Sequence, residues 1–111
     1  MITTHILDIS IGKPAAGVRV ALLRLENAIR TVVGSGVTDA DGRFKELVPK
    51  AAVLSAGIFE LTFETGPYFA GRGIKPFHPR VTVTFEITDP NQHFHVPLLI
   101  SPFGYSTYRG S

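Results

Sequence analysis

The side chains best suited to chemistry near neutral pH are four histidines, His5, His78, His93 and His95, because imidazole changes charge between pH 5 and 8 without help from its surroundings. None has the two-histidine helical spacing of a metalloprotease. His93 and His95 stand two apart, which on a strand sets both on one face, opposite Phe94, Val96, Leu98 and Ile100. They offer a metal two ligands, but zinc normally needs a third and the chain has no cysteine. The plainer reading is that one or both are solvent-facing strand histidines. His5, in Thr4-His5-Ile6-Leu7-Asp8, shares a strand face with Leu7 and Ile9, a setting that suits a half-buried, hydrogen-bonded histidine as well as a catalytic one. Arg43 follows Asp41-Gly42 at a turn exit, as either a surface arginine or a fixed cation beside a site. The chain ends in Gly104-Tyr105-Ser106-Thr107-Tyr108-Arg109-Gly110-Ser111. Such a polar, aromatic octapeptide either frays as termini commonly do or lines a pocket. A Ser–His pair is present, but no acidic residue stands in a triad motif and there is no nucleophile elbow.

Strands must position these residues, because period-two alternation recurs and a sustained helical period does not. Val18, Val20 and Leu22, then Phe59, Leu61 and Phe63, then Val81, Val83, Phe85 and Ile87 alternate with mostly polar neighbours, the pattern of half-buried strands. Further strands are predicted at 4–10, 29–38 and 94–101, with shorter ones at 44–48 and 52–54. Asp41-Gly42 signals a tight turn, Gly12-Lys13-Pro14 and Asp89-Pro90-Asn91 read as loops, and Gly66-Pro67 stops the strand before it. One helical turn is predicted at 67–73, with Pro67 near its start. Pro97, inside a strand-like run, fits an edge strand or one that carries function. Seven or eight short strands between turn signals make an all-β sandwich.

At 111 residues the chain is one small domain, which buries about two-thirds of its unfolded surface. With 44% hydrophobic and 18% charged residues and no cysteine, disorder, a disulfide scaffold, thiol nucleophiles and Cys-based metal sites are excluded. A net charge of +2 without a run of like sign shows no stripe for nucleic acid. No apolar run approaches the ~20 residues of a membrane span, and Met1-Ile2-Thr3-Thr4-His5 lacks the charged and apolar regions of an export signal. A cytoplasmic protein is the expectation.

Several motifs together resemble the 5-hydroxyisourate hydrolases, the transthyretin-like enzymes of purine degradation. They are Thr4-His5-Ile6-Leu7-Asp8 with Gly12-Lys13-Pro14-Ala15, Thr38-Asp39-Ala40-Asp41-Gly42-Arg43, His95-Val96-Pro97-Leu98-Leu99 and the terminal Tyr108-Arg109-Gly110-Ser111. The similarity runs from Ile2 to Ser111, and the last tetrapeptide is its most specific part. In that family the tetrapeptide separates the enzymes from transthyretin proper, the hormone carrier on the same fold. Phe77-His78-Pro79 departs from the pattern at His78, outside the matched motifs. The resemblance implies one domain over 1–111, a transthyretin-like sandwich of two four-stranded sheets with one short helix, and a homotetramer with active sites at the dimer–dimer interface. It implies hydrolysis of 5-hydroxyisourate without cofactor or metal, with His5, Arg43, His95 and Ser111 catalytic and His5, Arg43, Tyr108, Arg109 and Gly110 binding substrate. It does not say which histidine is the base. A carrier of a small aromatic ligand, like transthyretin, is the alternative.

Overall fold

Each alternating run becomes a strand whose apolar side turns into one shared core. The computed structural model describes residues 1–111 as nine strands and one helix: β1 (Ile2–Asp8), β2 (Lys13–Pro14), β3 (Arg19–Glu26), β4 (Ile29–Val37), β5 (Arg43–Phe44), β6 (Gly57–Phe63), α1 (Thr65–Ala70), β7 (Val81–Ile87), β8 (Phe94–Ser101) and β9 (Gly104–Thr107). One sheet runs β4-β3-β6-β7. The other runs β2-β1-β8-β9, with the two-residue β5 beside β2 on the outer edge of β1. The expected two-sheet sandwich with one short helix is therefore the observed architecture, with β5 as a fifth, minimal member of one sheet. Phe59, Leu61 and Phe63 from one sheet meet Ile2, Ile6, Leu98 and Ile100 from the other in a single buried cluster. No helix is long and apolar enough to cross a membrane.

Strand limits differ from expectation where side chains redirect the chain. β1 ends at Asp8 rather than Ser10 because the buried Asp8 carboxylate accepts hydrogen bonds from the Ser10 amide and the Tyr68 hydroxyl, which turns the chain. Gly12-Lys13-Pro14, expected as loop, adds β2 to β1. The strand predicted at 44–48 stops at Phe44. Leu47 leaves the sheet for the core, and its carbonyl passes so near Gly34 that any Cβ there would overlap it. At 52–54 no strand forms, and Val53 is 93% exposed. Apolar character without a partner edge makes no strand. The helix starts earlier than predicted, at Thr65. Pro67 lies in its first turn, where an amide has no intrahelical partner, and the winding closes through tighter bonds from Arg72 to Phe69 and from Gly73 to Ala70.

Pro97 is not at an edge: β8 lies between β1 and β9. Residues 95, 97 and 99 turn their main-chain groups toward the terminal segment, which pairs Leu98–Ser101 with Thr107–Gly104 and, in unbroken register, His95 with Gly110. The donor that proline lacks would have served Tyr108. The Thr107 hydroxyl donates to the Pro97 carbonyl instead, at 2.7 Å, so the ladder opens at Tyr108 and Arg109 and closes again at Gly110. A central proline is tolerated because the strand facing it steps away there.

Candidate active site

Three strands bring the candidate residues to the outer face of the β2-β1-β8-β9 sheet. Ile2, Thr4 and Ile6 face the core, so Thr3 and His5 face out; Phe94 and Val96 face the core, so His95 faces out. Parallel pairing of β1 with β8 sets Thr3 beside His95 and His5 beside Pro97. β5 sets Arg43 beside His5. With strands about 4.8 Å apart and alternate residues about 6.7 Å apart, the backbones of His5 and His95 are roughly 8 Å from each other, within reach of one small ring between their side chains.

A cavity of ≈ 350 Å³ opens on this face, lined by Thr3, Arg43, Lys45, His93, His95 and Ser111 together with Met1 and Thr4. His5 is half-buried and is not among the lining residues, although it pairs with Arg43, which is. The turn into β5 fixes Arg43. The Asp39 carboxylate accepts the amides of Asp41 (2.9 Å) and Arg43 (3.0 Å), and the Arg43 amide is the main reason its pKa lies below the ordinary carboxylate value. Gly42 takes φ +73°, and a Cβ there would come within 2.4 Å of the Ile6 carbonyl oxygen. Only glycine therefore lets the turn lie against β1. None of the chain's ion pairs uses Arg43, so its charge is free for a ligand.

His95 is held on two sides. Its Nδ1 lies 2.8 Å from the Thr3 hydroxyl, which also lies 2.9 Å from His93 Nε2. The Gly110 amide donates to the His95 carbonyl at 2.8 Å, and the Gly110 backbone lies so close to the ring that a Cβ would stand 2.6 Å from Cδ2. With Nδ1 engaged, Nε2 is the nitrogen left for a ligand. Burial lowers the pKa of His95, and the positive charge of Arg43, with those of His93 and His5 whenever they are protonated, lowers it further. Both effects favour the neutral imidazole, the form able to accept a proton.

The octapeptide does not fray. Its first half is β9, and its end returns to His95 through Gly110, bringing Ser111 into the cavity. Tyr108 and Arg109 lie elsewhere within the single chain. They line a second cavity of ≈ 260 Å³ with Val83, Phe85, Phe94 and Val96, and the Arg109 guanidinium stacks 4.7 Å from the Phe94 ring centre. His78 lies away from the site, edge-on to Phe77 and Tyr105. Thr3, Lys45 and the inner contact of His93 escaped the sequence reading. Their signal was present as three pairs two residues apart, Thr3 with His5, Arg43 with Lys45 and His93 with His95, but only strand register joins the pairs.

A family model described as the HIUase/Transthyretin family matches residues 2–110. The chain belongs to the HIUase/transthyretin family. A 5-hydroxyisourate hydrolase of Deinococcus radiodurans is 46% identical over 113 residues, covering 99% of this chain and 95% of that protein. The structure of Klebsiella pneumoniae 5-hydroxyisourate hydrolase is 46% identical with a TM-score of 0.87, covering 99% and 97%. Sea bream transthyretin in complex with thyroxine is 31% identical with a TM-score of 0.90, covering 98% and 93%. Within the HIUase/transthyretin family the backbone thus fits both kinds of relative equally well, while the higher identity lies with the hydrolases.

Proposed function

We propose that this chain hydrolyses 5-hydroxyisourate, opening its lactam ring to 2-oxo-4-hydroxy-4-carboxy-5-ureidoimidazoline in urate degradation. The observation that carries the proposal is His95, its Nδ1 tied to Thr3 and its Nε2 left for a ligand, lining the same cavity as Arg43, an arginine without an ion-pair partner. Full-length likeness to 5-hydroxyisourate hydrolases supports the choice of substrate.

In this reading His95 is the base. Water adds its oxygen to a ring carbonyl carbon and gives a proton to Nε2. The carbonyl oxygen becomes an oxyanion beside Arg43, a contact of the kind that lowers a barrier by about 3 kcal/mol. When the carbon–nitrogen bond breaks, its electron pair goes to the departing nitrogen, which takes a proton from His5 in its imidazolium form; His95 then releases the proton it gained to solvent, and solvent reprotonates His5. Gly110 holds the His95 ring in place, and Ser111 supplies a hydroxyl that orients the substrate. Tyr108 and Arg109 face away from His95 in one chain, so their part in binding substrate needs the homotetramer, in which a second copy completes each site at the dimer–dimer interface. The open sheet face supports that assembly, because alone it walls a flat ring on one side only. The proposal needs no cofactor and has the enzyme working in the cytoplasm.

The carrier reading has one observation behind it, the fold likeness to a transthyretin that holds thyroxine. The two readings separate when 5-hydroxyisourate is generated from urate and followed by ¹³C NMR with and without the protein. Faster appearance of the ring-opened carboxylate supports the hydrolase. Unaltered ligand recovered with the protein, at an unchanged decay rate, would overturn it in favour of the carrier.

A further inference from the structure

His93, Thr3 and His95 form a hydrogen-bonded line from the exposed rim of the cavity to the imidazole read as the base. The Thr3 hydroxyl stands 2.9 Å from His93 Nε2 and 2.8 Å from His95 Nδ1. Thr3 is 8% exposed, and its hydroxyl has no third side-chain or main-chain partner. A hydroxyl carries one proton. Were it to accept from both rings, that proton would be buried without an acceptor, which folded proteins avoid. It therefore donates to one ring and accepts from the other.

We propose that His93, acting through Thr3, decides which nitrogen of His95 carries the proton, so that His95 is a base at Nε2 only while His93 is neutral. This rests on the reading of His95 as the base. A neutral His93 with its proton on Nδ1 offers a lone pair at Nε2 and takes the Thr3 proton. The Thr3 oxygen then accepts Nδ1–H of His95, leaving Nε2 bare toward the cavity. A protonated His93 has donors at both nitrogens. Its Nε2–H donates to Thr3, Thr3 donates to His95 Nδ1, and the proton of neutral His95 moves to Nε2, where it blocks the attacking water. No atom is gained or lost beyond the proton His93 takes from solvent. His93 is exposed, so that exchange is unhindered. His93 is thus a positioning residue.

The groups that face this line are Arg43 on β5 and Lys45 just beyond it, His5 on β1, the amino group of Met1 ahead of β1, and Ser111 beyond β9. His93 is the exposed histidine of the line and the one bonded to Thr3, which makes it the route by which a solvent proton reaches His95.

The test compares the parental protein with Thr3→Val, Thr3→Ser and His93→Phe by two readouts, ¹⁵N chemical shifts of the His95 ring and the pH profile of kcat/KM on 5-hydroxyisourate. In the parental protein, acidification through the His93 titration moves the His95 proton from Nδ1 to Nε2. The acid limb of log kcat/KM then steepens to a slope of about 2, since two groups must both be neutral. Thr3→Val and His93→Phe uncouple the rings, leaving a slope of about 1 and a tautomer that ignores position 93. Thr3→Ser restores the parental pattern, which a purely structural threonine would not require. A parental slope and tautomer response surviving in Thr3→Val or His93→Phe would overturn the coupling. The ¹⁵N arm needs no substrate, so a parental protein that switches tautomer but turns nothing over would refute the hydrolase reading alone.

Discussion

Replacing Gly110 by alanine adds one carbon beside the reacting ring and nothing else. The backbone at Gly110 is not in the left-handed region, so the substitution carries no conformational penalty there, but the new Cβ would stand 2.6 Å from His95 Cδ2, 3.2 Å from its Cγ and 3.2 Å from Pro97 Cγ. Carbon atoms in contact prefer roughly 3.5 to 4.0 Å, so the imidazole or the terminal segment must move by about 1 Å. Neither movement is free. The ring is tied to Thr3 at Nδ1, and the segment is tied to the His95 carbonyl through the Gly110 amide. Misplacing a reacting group by 1 Å costs about a hundredfold in rate, or about 2.7 kcal/mol of barrier. Stability changes less, because at most one hydrogen bond near the chain end weakens, about 1 kcal/mol. The assay is the rate of loss of freshly generated 5-hydroxyisourate, read beside a thermal melt. Gly104→Ala is the control in the same segment, since its Cβ would meet nothing closer than the Ser101 hydroxyl at 3.9 Å. Parental turnover in Gly110→Ala would refute the claim that the terminal segment works by holding His95.

Other perturbations have equally definite expectations. Arg43→Ala and His5→Ala each lower kcat by about a hundredfold while circular dichroism stays that of the folded sandwich, and a parental rate in either would remove its assigned role. His95 titrates below the ordinary histidine value of about 6.5, so its capacity as base is intact above that value and is lost as pH falls through the lowered one. NMR titration checks this, and Arg43→Met should raise the His95 pKa because a neighbouring cation is removed; an unmoved titration would contradict the electrostatic account. Gly42→Ala forces both a strained φ and an overlap with the Ile6 carbonyl. It should lower stability by about 1 to 3 kcal/mol and turnover with it, since the turn that carries Arg43 is pushed off β1. Deleting 108–111 should abolish turnover and leave the sandwich folded; loss of cooperative unfolding in that truncation would make the segment structural.

Elements that carry an alternating pattern of their own were legible in the sequence. Val81–Ile87 and Phe94–Ser101 take the predicted limits, because each has one apolar face and a turn signal at either end. Elements defined by a partner were not. Gly104–Thr107 is polar and becomes β9 only because β8 offers it an edge, while Ala52–Leu54 is apolar and finds none. The same division runs through the site. His5, Arg43 and His95 stand out by residue type and motif, but that Thr3 touches two histidines follows from a parallel register between the first strand and the eighth, which no local pattern encodes. Pro97 shows the limit most clearly: its position suggested an edge strand or one that carries function, and how a central strand holds it emerged only with the segment that steps around it and returns at Gly110.

Removal of the attacking water's proton by a neutral His95 is open to direct measurement. Its most direct measurement is the initial rate of 5-hydroxyisourate loss near pH 7.5 for buffer alone, the parental protein and His95→Ala at equal concentration. The expected result is a parental rate well above the spontaneous one and a fall of about a hundredfold or more in His95→Ala, with the variant still folded. A parental rate equal to buffer, or a His95→Ala rate equal to the parental one, would contradict it.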